Sequence, residues 1–252
     1  LLCPNSLNSL ISDKTKAVVT VNLNGRNSIS NEILSIISKY SIPLIQDNAQ
    51  SLLSSIPNKI KNIDTIQAYS FSLAKLLTTG QGGCVITDNE TIANKVQRIR
   101  TQGLGNILRP ENWEIGSNYR ISDLLSSIGL SQLKLINDKQ NKLLQIYRKY
   151  RDVLLDFDFC KDIPVFINKN EYPLYSEFLF KSRDKLIKFL DSKGIETRPF
   201  FKDLNTAKYI NSMDFSETIF SKEGLTLPGG DGLSEEKQDL VISKIIEFYK
   251  KD

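Results

Sequence analysis

No histidine occurs in the 252 residues. That absence removes Ser-His and Cys-His nucleophilic chemistry and every His-ligated metal site, leaving acid–base work to lysine, carboxylates or tyrosine. Cysteine is sparse. Cys3, Cys84 and Cys160 are odd in number and far apart, which reads as reduced thiols in a cytoplasmic protein rather than a disulfide frame. No apolar run approaches the roughly 20 residues of a membrane span, and no signal-peptide pattern opens the chain. Methionine occurs once, at Met213, and the first residue is Leu1, so the sequence is expected to be part of a longer or processed protein. Internal repeats and low-complexity segments are absent as well.

What is present suits a globular chain: 40% hydrophobic and 25% charged residues, long enough for a large core in one domain or one and a half. The formal charge of +4 is mild and mixed along the chain, which accommodates an anionic small-molecule substrate without requiring one. The basic amphipathic stretch Lys139 to Arg151 reads as a solvated helix face rather than a nucleic-acid or membrane surface, being short and followed by acidic residues.

Patterning gives a strand, helix, strand rhythm near the start. After a short helix over Ser6 to Ser12, Lys16 to Leu23 is an apolar strand that Asn24-Gly25 breaks. Ser30 caps a helix carrying Ile33, Leu34, Ile36 and Ile37, and Ser41 to Gln46 is a strand ending at Asp47. Pro57-Asn58 marks a turn, Ile66 to Phe71 and Cys84 to Thr87 are strands, and Glu90 to Arg100 is a helix with Ile92, Val96 and Ile99 on one face. Gly103 to Gly116, containing Trp113, is irregular. A long helical stretch from Ser122 to about Leu155 is expected to break near Asn137-Asp138, where a domain boundary is placed: residues 1–137, then 138–252. The last third predicts strands at Tyr175 to Lys181 and Ile195 to Arg198, and a helix from Arg183 to Lys193 ending at Gly194. It continues with a mostly helical Asn205 to Phe220, an extended Leu225 to Pro228 and a final helix from Ser234.

Chemistry gathers in Thr65 to Asp88, TIQAYSFSLAKLLTTGQGGCVITD. Two strands flank a polar, glycine-bearing passage that holds a single lysine, Lys75, beside Ser70 and Ser72. Lys75 is a candidate amine nucleophile. Upstream, Asp47 ends an apolar strand, and ligands of open α/β sheets collect outside the carboxyl ends of strands. If the two strands run parallel, an acid, a hydroxyl and an amine converge on one crevice. That set suits pyridoxal phosphate, with lysine for a Schiff base, aspartate for the pyridinium nitrogen and a hydroxyl for the phosphate.

The order DNAQ, YSFSLAK, GQGG with VITDNE, RIRTQG and SNYRISDLLSSIGLSQL, the last followed to Leu133, resembles the DegT/DnrJ/EryC1/StrS aminotransferases over nearly the whole chain. The resemblance implies an α/β fold of the aspartate-aminotransferase type (PLP fold type I), a three-layer αβα domain with a mixed sheet plus a smaller C-terminal α+β domain. It implies pyridoxal 5'-phosphate as cofactor and amino transfer, with glutamate as expected donor, to a keto-sugar nucleotide in surface-polysaccharide or deoxyamino-sugar biosynthesis. By position, Lys75 matches the Schiff-base lysine that also moves the proton, and Asp47 the acid that keeps the ring nitrogen protonated. Gln50 matches a residue near the ring hydroxyl and substrate, and Ser70 a phosphate-binding hydroxyl. Asn118 matches an asparagine that crosses a homodimer interface to the partner's cofactor phosphate. Arg198 with Pro199, Phe200 and Phe201 matches a family loop near the site, without a role that follows from residue type.

Two departures change no group the chemistry needs: Gln81 replaces a common glutamate in the glycine turn, and Gln102 a common histidine before Gly103. A related dehydratase branch carries histidine at the lysine position, so Lys75 favours amino transfer. Family members also carry a segment upstream of the matched region, with the first strand, a phosphate-binding turn and a ring-stacking side chain. Two other readings stand beside this one. Ser72-Leu-Ala-Lys75 is formally S-x-x-K, but the S-D-N and K-T-G elements of that acyl-transfer chemistry do not occur. The alternative from another class is a truncated, catalytically inactive member that keeps the fold as a dimerising or structural protein.

Overall fold

A computed structural model describes residues 1–54, 63–106, 108, 114–163, 171–210 and 218–251. The expected turn at Pro57-Asn58 and the tryptophan Trp113 lie outside the described residues. The chain divides into two compact units. One holds Leu1–Asn137 together with Asn168–Tyr172, of which Glu171 and Tyr172 are described; the other holds Asp138–Ile167 and Pro173–Asp252.

The first unit runs α1 (Pro4–Leu10), β1 (Val18–Val21), α2 (Asn31–Tyr40), β2 (Leu44–Asp47), β3 (Thr65–Ser70), β4 (Gly83–Thr87), α3 (Glu90–Arg100) and α4 (Asp123–Leu133). Its sheet has the order β1-β2-β3-β4, the first two pairings parallel and the last antiparallel. Parallel β1, β2 and β3 bring their carboxyl ends to one edge, the condition on which an acid and an amine could meet there. Three helices start on capping side chains: Ser30 accepts from the Ile33 N–H at 3.3 Å, Asn89 from Ile92 at 3.1 Å and Ser122 from Leu125 at 3.4 Å.

Alternation along β1 decides which sheet face is covered. Val18 joins Leu44, Ile42, Ile33, Ile37 and Leu7 in a core built from α1, α2 and the sheet. The intervening Val19 and Val21 are 58% and 45% exposed on the opposite face. Helix α3 has the predicted bounds, yet none of its residues is buried.

The interruption expected at Asn137-Asp138 falls instead at Lys134 and Leu135, and α5 (Ile136–Leu154) contains both predicted breakers. A tightened bond from the Leu135 N–H to the Gln132 carbonyl (3.0 Å) interrupts the ladder. Asp138 sits in the first turn of α5, where a carboxylate complements the helix dipole.

The second unit continues with β5 (Cys160–Asp162), β6 (Ser176–Phe180), α6 (Arg183–Asp191), β7 (Arg198–Pro199), α7 (Ile219–Glu223), β8 (Gly224–Leu227) and α8 (Glu235–Lys251). Its antiparallel sheet has the order β5-β6-β8-β7. Tyr150, Phe178, Phe180, Leu186, Leu190, Leu225 and Ile245 form the core, each fully buried. Two buried polar groups in it are satisfied locally: Tyr150 donates to the Pro228 carbonyl at 3.0 Å, and the Gln238 amide to the Ile146 carbonyl at 2.7 Å. Of the strand expected over Ile195 to Arg198 only Arg198 lies in the two-residue β7. Of the helix expected over Asn205 to Phe220, the described residues show a 3-10 turn, Leu204–Thr206, and the start of α7; residues 211–217 lie outside them.

Candidate active site

Register places the acid and the hydroxyl on one face of the sheet. The row Val21, Asp47, Ala68 crosses three adjacent strands, and Ser70 lies two residues beyond Ala68, about 7 Å further along β3. Asp47 is half-buried, and its Oδ1 accepts the Ala49 N–H at 2.9 Å. That local Asx turn sets the carboxylate at the end of β2.

The next row is polar and buried on the other face. Asn22 and Asn48 continue the ladder past the strand ends, with the Asn22 N–H on the Asp47 carbonyl (3.0 Å) and the Asn48 N–H on the Ala68 carbonyl (2.8 Å). The Asn22 amide donates to Asn48 Oδ1, while Asn22 Oδ1 accepts both the N–H and the hydroxyl of Ser28, at 2.8 and 2.7 Å. Further along, the Asn24 N–H donates to Gln50 Oε1 at 2.9 Å, and Ser54 donates to the Gly25 carbonyl at 2.6 Å. The turn after β1 therefore grips the stretch after β2 at several points. Asn24 occupies the left-handed region at φ 52, and Gly25 follows at φ 77, where a Cβ would stand 1.6 Å from the Tyr172 carbonyl oxygen. Sequence reasoning read Asn24-Gly25 only as a strand break and passed over Asn22 and Asn48. Three asparagines at or just beyond the ends of apolar strands are the signal that could have exposed the clamp.

Beyond β3, the Phe71 N–H bonds the Gly82 carbonyl at 2.8 Å and the Thr79 N–H bonds the Phe71 carbonyl at 2.9 Å, pinching off the passage between them. Within it Ser70 Oγ donates to Ser72 Oγ at 3.2 Å, and the Lys75 N–H meets the Ser72 carbonyl at 3.1 Å. Lys75 is half-buried, between exposed Leu73 and Ala74 and buried Leu76 and Leu77. Asp47 and Ser70 thus end two neighbouring parallel strands, and Gln50 and Lys75 lie on the segments that follow them.

Asn118 is placed differently. It pairs with Thr101 in an isolated antiparallel bridge at the end of α3, is exposed, and accepts from Arg120 at 3.3 Å. The glycines expected to bound an irregular excursion hold this arrangement: a Cβ on Gly116 would lie 2.2 Å from the Gly103 nitrogen. Ile121 then packs near Gly82, and α4 brings Gly129 against Thr79, so the Asn118 segment runs beside the glycine turn.

Tyr69, one residue beyond the Asp47–Ala68 pair, is half-buried beside Asn48. Burial raises its phenol above the ordinary tyrosine range, while the nearby Asn48 side chain works in the opposite sense. Its hydroxyl donates to Gln67 Oε1 at 2.8 Å.

The chain is 27% identical over 248 residues to EpsN of Bacillus subtilis (strain 168), named as a pyridoxal phosphate-dependent aminotransferase, with 93% of this chain and 63% of that protein matched. It is 27% identical over 250 residues to the GDP-perosamine synthase of Caulobacter vibrioides (strain ATCC 19089 / CIP 103742 / CB 15), covering 95% of this chain and 67% of the relative. The chain therefore spans about two thirds of the length of these relatives. The solved structure of Helicobacter pylori PseC, an aminotransferase involved in the biosynthesis of pseudoaminic acid, superposes with a TM-score of 0.87 at 20% identity, over 100% of this chain and 71% of PseC, which shows a shared fold. A family model matches residues 1–246, and the chain belongs to the DegT/DnrJ/EryC1/StrS aminotransferase family.

Proposed function

We propose that the protein is a pyridoxal-phosphate-dependent aminotransferase that moves an amino group, with glutamate as donor, to a keto-sugar nucleotide in deoxyamino-sugar or surface-polysaccharide biosynthesis. The observation that carries the reading is that Asp47 and Ser70 end neighbouring parallel strands, with Lys75 on the passage that follows Ser70, in a member of this family. The names of similar proteins support the substrate class: GDP-perosamine synthase and UDP-4-amino-4,6-dideoxy-N-acetyl-beta-L-altrosamine transaminase.

The donor set fits the cofactor. Pyridoxal phosphate, when bound, supplies an electron sink for the carbon that loses its proton. Lys75 Nζ would hold it covalently and then take and return that proton. Asp47 would keep a proton on the ring nitrogen, its carboxylate aimed by the Ala49 N–H. Gln50 spends its oxygen on Asn24, which leaves the amide Nε2 to donate toward the ring hydroxyl. Ser70 is the hydroxyl for the phosphate. Residues 1–137 would form part of the cofactor domain and 138–252 the smaller one.

A homodimer belongs to the same proposal, with Asn118 reaching the partner's cofactor. Leu130 and Leu133, three residues apart on α4, are 66% and 51% exposed, an apolar helix face of the kind that marks an interface. The proposed location is the cytoplasm. No helix among the described residues is long and apolar enough to cross a membrane, and all three cysteines are free thiols.

The test is borohydride reduction of the protein expressed from its complete reading frame and loaded with pyridoxal phosphate. The expected result is loss of the visible band and a pyridoxyl adduct on Lys75 by mass spectrometry. An adduct on a different lysine, or none, overturns the assignment.

A further inference from the structure

The buried row behind the site is a chain of hydrogen bonds that all run one way. Ser28 donates twice to Asn22 Oδ1, and Asn22 in turn donates to Asn48 Oδ1. An amide has one oxygen and one NH2 group, so its direction is fixed once either end is committed. Asn22 is fully buried and Asn48 is 3% exposed, so neither can trade these bonds for water. Turning the Asn22 amide around would forfeit the bond from the Ser28 N–H and set its oxygen against Asn48 Oδ1.

We infer that Asn22 is a positioning residue for Asp47, acting through the peptide that joins Asp47 to Asn48; this rests on the cofactor reading proposed above. Both groups of that peptide are spent, its carbonyl on the Asn22 N–H and its N–H on the Ala68 carbonyl. The Asn22 side chain adds the lateral bond that fixes Asn48. Asp47 itself projects from the opposite face of the sheet, so its carboxylate direction is set by a peptide that cannot rotate. Ser28 in turn locks Asn22, which extends the device to a residue on the loop before α2. Neither Asn22 nor Ser28 is on the face of the sheet that carries Asp47 and Ser70, and their influence is conveyed through backbone geometry.

Asn22→Asp separates positioning from packing. It keeps the shape and the acceptor for Ser28 but replaces the donor to Asn48 with a second acceptor. Asn22→Ala deletes both groups, and Ser28→Ala removes only the hydroxyl bond, a milder change that secures a folded variant. Each is compared with wild type and Asp47→Asn in the protein expressed from its complete reading frame. Three quantities are read: thermal stability, dissociation constant for pyridoxal phosphate, and the ratio of visible to ultraviolet cofactor bands at one fixed pH. Asn22→Asp is expected to weaken cofactor binding by about tenfold or more and to move the band ratio in the direction of Asp47→Asn. Ser28→Ala should do the same by about two- to fivefold. If both variants melt earlier yet keep the wild-type affinity and band ratio, Asn22 is structural only and the inference is overturned. If wild type shows no cofactor band, the proposed function fails instead. Hydrogen exchange of the Ala49 amide in the cofactor-free protein then decides: faster exchange in Asn22→Asp supports the positioning role, and unchanged exchange refutes it.

Discussion

The backbone N–H of Asn24 and the side-chain oxygen of Gln50 are joined at 2.9 Å, linking the turns that follow two adjacent strands. Asn24 is buried, so this N–H has no recourse to water when Gln50 is shortened. Gln50→Ala should lower stability by about 1–3 kcal/mol, the cost of an unpaired buried donor. Gln50→Glu keeps an acceptor for Asn24 and should lose less. Its second oxygen, however, replaces the outward amide donor, so cofactor affinity should fall as far as in Gln50→Ala. Chemical denaturation and cofactor titration of the two variants check this, and equal stability losses would contradict it.

Asp47→Asn is isosteric and retains an oxygen for the Ala49 N–H. Its stability should stay within about 1 kcal/mol of wild type. The amino-transfer half-reaction should slow by roughly 100-fold or more, because a neutral amide does not hold a proton on the ring nitrogen. Single-turnover spectroscopy alongside a thermal melt separates the two effects. A large stability loss with an unaltered rate would reassign Asp47 to a structural role.

Two glycines with similar backbone angles should respond differently to alanine. Gly25 (φ 77) presses on the Tyr172 carbonyl, whereas Gly194 (φ 72) has nothing within 4 Å of a built Cβ. Gly194→Ala should cost only the left-handed strain, roughly 1–2 kcal/mol. Gly25→Ala adds a backbone clash and should cost clearly more or abolish folding, with cofactor binding lost at the same time. Paired melting curves are the measurement, and equal costs would refute the contact.

Burial, followed by the neighbouring Asp162, pushes the Cys160 thiol from 9.0 up to about 12. The folded state therefore holds this proton more tightly than the unfolded state. Its stabilising contribution is complete below pH 9.0, declines as the unfolded thiol ionises, and is gone once pH passes about 12. Cys160→Ala should flatten that decline, as shown by denaturation midpoints between pH 8 and pH 10. Thiol labelling gives a second check: exposed Cys3, whose thiol is lowered chiefly by a backbone hydrogen bond involving Ser6, should react first, and Cys160 only on unfolding.

Sequence periodicity located the strands and most helices because their apolar faces are regular, as Ile33 and Ile37 against Val18 and Leu44 show. The Ser30 cap was readable for the same local reason: a cap acts within one turn. The candidate site was legible through Lys75 and Asp47, whose chemistry is written in residue type. The clamp behind it was not, because Asn22 and Asn48 meet across 26 residues, and only the strand register makes them neighbours. The three-residue β5 escaped notice, and the strand expected over Ile195 to Arg198 was set too early for β7, because so few residues carry no period.

The bonds that reach Asn27 from Glu171 and link Leu52 to Tyr172 span 144 and 120 residues of sequence. A nascent chain leaves the ribosome N-terminal end first, so the turn around Gly25 has no Tyr172 backbone to rest on until that residue emerges. Loop closure over such a distance is a slow, entropically costly event. The strand ends that carry Asp47 and Gln50 can therefore pair early in synthesis, but their full bracing is a post-translational or late co-translational step. A premature stop anywhere between Asn137 and Glu171 would release a chain with every candidate cofactor residue present and the brace beneath them missing.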